Sequence, residues 1–199
     1  MSTNLVIIAA GGANFGSLVT ACARLGVEAR VSDAATTIRA ATHAILPGVG
    51  AAAQAMRSLR ASGLDRVIRT LSQPLLGICL GMQLLFERSA EGEVEGLGLL
   101  PGTVARLPAA PRWPHMGWNT LEIGRAHPLL AGLDAQPWVY FVHGYAAPTD
   151  AHTLASSRHG SAFSAAVARG NVMGTQFHPE KSAAVGRQIL ANFLELPCS

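Results

Sequence analysis

The sequence predicts one α/β domain over residues 1–199, a doubly wound, mostly parallel sheet with an antiparallel extension in its second half. Two patterns predict it. In the first half, short apolar runs alternate with amphipathic segments, as in parallel strands covered by helices on both faces. After about Glu91, glycine, proline and tryptophan rise, and strand-like runs follow one another without long helices between them.

Leu5 to Ile8 reads as a buried strand closed by Gly11-Gly12. Ser17 to Leu25 reads as a helix stopped by Gly26. Val27 to Val31 and His43 to Leu46 read as the next strands, the latter ended by Pro47-Gly48. Ala51 to Arg60 has helical composition. Leu75 to Ile78 is an apolar strand, and Leu80 to Phe86 reads as a helix. The glutamate- and glycine-rich stretch from Glu91 to Gly98 reads as a mobile loop. Thr103 to Leu107, Trp138 to Val142, His152 to Ala155, Ala165 to Arg169 and Val172 to Gln176 read as the later strands. Ser182 to Leu194 closes the chain as a helix.

Composition excludes several classes of function. Hydrophobic residues make up 49% and charged residues 14%, a globular balance. The net charge of +3 comes from scattered arginines with no basic block, so there is no nucleic-acid footprint. The three cysteines, Cys22, Cys79 and Cys198, are far apart and lack a CxxC pair. That argues against a disulfide framework and a zinc site, and for a reducing compartment. The opening MSTNLVIIAAGG has no basic n-region, and its apolar run is too short for a signal or a span. A soluble cytoplasmic protein without membrane contact is expected. The loop from Gly11 to Gly16 has neither the G-x-G-x-x-G spacing nor the Gly-Lys-Ser/Thr of a P-loop, so no nucleotide cofactor is expected, and no metal.

The sharpest chemical feature is Gly77-Ile78-Cys79-Leu80-Gly81, between a predicted strand and a predicted helix. It is a nucleophile elbow with cysteine at its centre. A strand that turns abruptly into a helix strains the central residue, and side chains two positions either way would collide. The turn places the sulfur at the carboxyl edge of the sheet and near a helix N-terminus, which favours thiolate. A small buried cysteine between loop glycines is the plainer alternative.

A thiol nucleophile needs a base held by an acid. Gln176-Phe177-His178-Pro179-Glu180 supplies both just after a strand. The plainer alternative is a strand-capping histidine and a helix-starting glutamate. The other histidines fit the role less well. His43 sits in an apolar strand, His127 precedes a turn proline, and His152 and His159 flank a serine-rich stretch and read as exposed. His115 and His143 fall in aromatic clusters. An oxyanion needs donors. The backbone N–H of Leu80 is one candidate, and the loop Pro47-Gly48-Val49-Gly50, with Val49 and Gly50 at its tip, can offer another.

Taken together, Pro47 to Gly50, Gly77 to Gln83 and Gln176 to Ser182 resemble, in this chain order, the signature of the class I glutamine amidotransferases, whose fold is flavodoxin-like. The stretches Pro114-His115-Met116-Gly117-Trp118-Asn119 and Tyr140-Phe141-Val142-His143 are similar to those of the branch that serves imidazole glycerol phosphate synthesis. The likeness spans nearly the whole chain. It implies that Cys79 attacks the side-chain amide of L-glutamine and that His178, oriented by Glu180, protonates the leaving ammonia. It further implies that Gly48, Gln83, Gly144 and Tyr145 contact the substrate. The partner it implies is a cyclase subunit built as a (βα)8 barrel, which receives the ammonia in histidine biosynthesis. With all 199 residues used by the glutaminase domain, no acceptor domain is left in this sequence. Asn14, Trp118, Tyr140 and Lys181 would lie at or near the partner. Lys181 is the sole lysine and sits beside the catalytic pair.

The sequence departs from that pattern in two places. Ala9 and Ala10 stand where the family carries aspartate and tyrosine, with Ala13 before Asn14, and Gly144 stands where a hydroxyl residue is usual. Both departures lie on the partner or glutamine side of the site. Three other readings remain open: the glutaminase of a different synthase, such as pyridoxal phosphate synthase; a stand-alone cysteine hydrolase of this fold; and a binding subunit without activity.

Overall fold

The computed structural model describes residues 3–10, 15–108 and 112–198. In chain order the strands are β1 (Leu5–Ile8), β2 (Ala29–Ser32), β3 (His43–Gly48), β4 (Leu75–Cys79), β5 (Phe86–Ser89), β6 (Val94–Glu95), β7 (Leu100–Arg106), β8 (His115–Thr120), β9 (Glu122–Ile123), β10 (Trp138–His143), β11 (Tyr145–Ala146), β12 (Thr153–His159), β13 (Ser161–Arg169) and β14 (Val172–Thr175). The helices are α1 (Phe15–Ala23), α2 (Ala35–Ala40), α3 (Ala52–Ser62), α4 (Leu64–Arg69), α5 (Leu80–Leu84) and α6 (Ala183–Leu194).

The main sheet runs β2-β1-β3-β4-β14-β13-β12-β9. Its first five strands are parallel, and β13, β12 and β9 extend it antiparallel. This is the predicted α/β class. Successive residues on a strand point to opposite faces, and here both faces are buried. Leu5 and Ile7 of β1 pack with Leu18, Cys22, Ile189 and Phe193 of α1 and α6. Val6 and Ile8 pack on the other side with Ile38, Met56, Leu59 and Ile68 of α2, α3 and α4. That two-sided burial is why the strands read as unbroken apolar runs.

Several elements differ from their sequence reading. β3 does not end at Pro47-Gly48 but runs through them, with Gly48 opposite Cys79. The β1 ladder stops at Ile45, so the N–H that Pro47 lacks is not missed on that side. α5 stops at Leu84 rather than Phe86 because Leu97, Leu99 and Leu100 donate backbone hydrogen bonds to Leu84 and Leu85. Phe86 then opens β5. The Glu91–Gly98 stretch is tied down instead of loose. Val94 and Glu95 pair with β5, and the Glu91 carboxylate accepts the Ala52 N–H at 2.8 Å, capping α3. β8 is paired with β10 in a separate two-stranded sheet, and β11-β7-β5-β6 form a third. Among the described residues no helix is long and apolar enough to cross a membrane.

The carboxyl ends of β3, β4 and β14 come out at one edge of the sheet, where open α/β sheets place their sites. Asn14, and the Gly11-Gly12 stop, lie outside the described residues.

Candidate active site

Cys79 ends β4 with φ 54° and ψ −111°, and α5 starts at the next residue. A non-glycine residue at positive φ is strained and persists only where its surroundings enforce it. The surroundings here are glycine contacts. A Cβ on Gly77 would lie 2.7 Å from the backbone N and Cα of Met82, and one on Gly81 would overlap the Leu46 carbonyl. The elbow expected from the sequence is therefore present, and its two glycines are required by close backbone approach.

The sulfur is 7% exposed at the residue level. It sits 3.7 Å from the Val142 carbonyl and 3.8 Å from the Gln176 Nε2, both long contacts. The His178 imidazole lines the same cavity as the sulfur. The other face of that imidazole is fixed by Glu180, whose Oε1 lies 2.8 Å from Nδ1. Glu180 Oε2 is buried with no partner among the described residues. Burial lowers the His178 pKa, but hydrogen bonding and charge from Cys79 and Glu180 outweigh it and push the group up to about 10. A protonated imidazole beside the sulfur is the partner a thiolate nucleophile needs. The backbone holds the arrangement from behind. His178 N–H donates to the Tyr140 carbonyl at 3.0 Å. The Ser182 hydroxyl donates to the His178 carbonyl at 2.7 Å and accepts the Tyr140 N–H at 2.9 Å.

A cavity of about 260 Å³ opens over the sulfur, lined by residues that include Val49, Gly50, Leu80, Gln83, Gly144, Tyr145, His178 and Lys181. It suits a small polar amino acid and is too small for a nucleotide. Gln83 Nε2 donates to the Tyr145 carbonyl at 2.8 Å and to Gln176 Oε1 at 3.0 Å. Of the substrate residues read from the sequence, Gly48 does not line this cavity. It lies beneath the elbow, where a Cβ would come 2.8 Å from the Gly81 N. Gly144 is covered by Trp113, whose Nε1 donates to its carbonyl at 3.0 Å. A Cβ there would lie 2.6 Å from Trp113 Cζ2, so any side chain at this place would push the indole aside.

Of the residues expected on the partner side, Trp118 is 50% exposed and meets Tyr140 edge-on at 6.1 Å. Lys181 Nζ stands 5.9 Å from the Tyr140 ring centre. Trp138 and Met116 are exposed on the same pair of strands, at 57% and 64%. Sequence reasoning missed Gln176, Val142 and Ser182. Gln176 had a signal available, because it falls in the same short motif as His178 and Glu180, directly after β14. His152 and His159 are half-buried rather than exposed, and His43 is structural as read, its Nε2 bonded to the Leu196 carbonyl at 3.0 Å. No cluster of three or more metal-ligand side chains occurs among the described residues.

Glu180→Gln is expected to lower kcat for glutamine on the order of 10²-fold, since general acid–base catalysis contributes on that scale. Its pH profile gives the sign. Without the carboxylate the imidazolium is less favoured, so the alkaline limb moves to lower pH. An unmoved limb would show that Glu180 does not hold the proton on His178.

The elbow, base and acid have the form of a cysteine-nucleophile site on this fold. Residues 6–196 match the family model for glutamine amidotransferase class-I. The chain belongs to that family. It is 55% identical over 196 residues to the imidazole glycerol phosphate synthase subunit HisH of Xanthomonas axonopodis pv. citri (strain 306), covering 98% of each chain. It is 52% identical, over the same coverage, to the HisH subunit of Xylella fastidiosa (strain Temecula1 / ATCC 700964). In fold it is similar to a crystal structure of a glutamine amidotransferase, with a TM-score of 0.75 and 24% identity over 96% of this chain and 97% of that one. A glutamine amidotransferase from Thermotoga maritima gives a TM-score of 0.70 at 14% identity, over 98% of this chain and 100% of that one.

Proposed function

We propose that this chain is the glutaminase subunit of an imidazole glycerol phosphate synthase in histidine biosynthesis. The observation that carries the reading is Cys79 at the elbow, with the hydrogen-bonded pair His178 and Glu180 beside it, under a cavity of about 260 Å³. The identity of 55% to HisH subunits over the chain supports the particular synthase.

The thiolate of Cys79 attacks the side-chain carbonyl carbon of L-glutamine. The Leu80 N–H and an N–H of the Val49–Gly50 loop face the developing oxyanion. His178 donates its proton to the leaving nitrogen, the C–N bond breaks, and ammonia departs from a glutamyl thioester. Water then attacks the thioester while His178 takes its proton, the C–S bond breaks, and glutamate leaves with the Cys79 thiolate and the protonated His178 restored. Gln83 and the backbone of Gly144 and Tyr145 hold the substrate. The ammonia passes to a cyclase subunit with a (βα)8 barrel, seated against the face of Trp118, Tyr140 and Lys181. The 1–199 chain acts as one glutaminase domain in the cytoplasm and needs no cofactor.

The test measures glutamate formed by the chain alone, with the cyclase subunit, and with that subunit plus its ribotide ligand. Low activity alone that rises strongly with partner and ligand supports the reading. High activity alone, unchanged by the partner, moves the protein to the stand-alone hydrolases or to another synthase.

A further inference from the structure

Beside the triad lies a group of histidines that the reaction above leaves unused. β8 and β10 pair in a register that sets His115 directly opposite His143. Both are buried, at 4% and 6% exposure. His115 is sandwiched between Phe141 and His159, with ring centres 4.7 and 4.2 Å away. His115 Nδ1 lies 3.0 Å from His143 Nε2, and His143 Nδ1 lies 2.8 Å from the Tyr145 carbonyl oxygen. At the other end, Asn119 Nδ2 lies 3.3 Å from His115 Nε2.

The chemistry of the two ends fixes the direction of every bond. A carbonyl only accepts, so His143 Nδ1 carries a hydrogen. In a neutral ring Nε2 is then an acceptor, and His115 must donate to it from Nδ1. His115 Nε2 is left as an acceptor for Asn119. The amide of Asn119 is itself oriented, because its Oδ1 accepts the Thr120 N–H at 2.8 Å and its Nδ2 donates to the Arg158 carbonyl at 3.0 Å. Burial, then the neighbouring His159, pulls His115 down to about 4. Burial pulls His143 down to about 3 against the opposing Tyr145 carbonyl, with His115, His159 and His178 adding to the effect. Both rings are neutral, as the chain of donors requires.

The chain ends where the substrate wall meets the elbow. The Tyr145 carbonyl also takes the Gln83 amide, and Gln83 is bonded to Gln176, which approaches the Cys79 sulfur. We propose that His143, held in its Nδ1–H form by His115 and Asn119, is a positioning residue that fixes the Gly144–Tyr145 backbone against which glutamine binds. His143 itself lines the cavity over the sulfur, but both of its ring nitrogens are engaged, by His115 and the Tyr145 carbonyl, so it acts through that backbone. The inference rests on the glutaminase reading for its kinetics, though not for its spectroscopy.

The test uses the full chain with its cyclase partner for kinetics and the full chain alone for spectra. His143→Leu removes the donor and is expected to raise KM for glutamine about tenfold, the scale of one buried neutral hydrogen bond, with kcat within about threefold. His143→Asn keeps an N–H near the Nδ1 position and is expected to bring KM back to within about threefold of the starting value. His115→Phe keeps the stacking and is expected to raise KM by less. A variant that lowers kcat with KM unchanged overturns the positioning role. Long-range ¹H–¹⁵N correlation of the histidine rings is the independent arm. Both rings are expected to be neutral Nδ1–H tautomers from about pH 5 to 8. An Nε2–H form at His143, or titration of either ring near the ordinary 6.5, overturns the inference even if the enzyme is active. The expected tautomers in a chain without glutaminase activity uphold the bonded relay and sink only the functional reading.

Discussion

Cys79→Ala is expected to abolish glutamine hydrolysis in the partner-activated complex, by about 10⁴-fold or more, while the complex still makes product from added ammonia. The size follows from the sulfur's role. Removing the nucleophile of a triad costs about as much as removing the whole triad, because base and acid have nothing left to activate. The fold should survive. The sulfur's hydrogen-bond contacts are the long ones to Val142 and Gln176. Alanine tolerates the φ of 54° no worse than cysteine does. A thermal midpoint within a few degrees of the parent's is expected, corresponding to about 1 kcal/mol or less. Ammonia-driven synthesis separates the two halves of the reaction, since it bypasses Cys79 and still needs the partner's chemistry. Residual hydrolysis near the parent level would move the nucleophile elsewhere and undo the assignment of His178 with it.

What could be read in the sequence follows physical lines. β1 and β4 were legible because each is a short apolar run, and burial on both faces makes such runs continuous. The triad was legible because His178 and Glu180 are two residues apart and the elbow is marked by its own glycines. Short elements were not. α2 has six residues, two of them threonines, and no side-chain cap. α4 starts at once from Gly63, whose left-handed φ of 72° also ends α3, so nothing in the composition separates the two. β8 lacks an apolar alternation of the usual kind, since Met116 and Trp118 face outward. For the same reason the His115–His143 pair was hidden. It exists only through the β8–β10 register, and register is set by tertiary pairing across 28 residues. Gly48 was read as a substrate contact because it belongs to a loop motif. Its position opposite Cys79 shows that its lack of a side chain serves the packing of β3 under the elbow.

That packing gives the second large effect. Gly81→Ala is expected to destabilise the protein by about 3 kcal/mol or more and to remove activity beyond what the stability loss explains. The added Cβ would overlap the Leu46 carbonyl and lie 3.2 Å from the Pro47 carbonyl carbon. Both are backbone, so no rotamer change relieves the clash, and β3 must move from the start of α5. Two functional parts sit on that seam. Cys79 is one residue from α5, and the Val49–Gly50 loop is the direct continuation of β3. Spreading them carries the proposed oxyanion donors away from the sulfur, so kcat should fall even at temperatures where the variant is folded. Gly170→Ala is the control. It carries a φ of 57° and has nothing within 4 Å of the added Cβ, so it meets only backbone strain, worth about 1 kcal/mol. Urea unfolding of the two variants beside the parent separates the causes. If Gly81→Ala costs no more than Gly170→Ala, close approach is not what demands glycine in the elbow, and the strain at Cys79 must be held by something other than the β3–α5 contact.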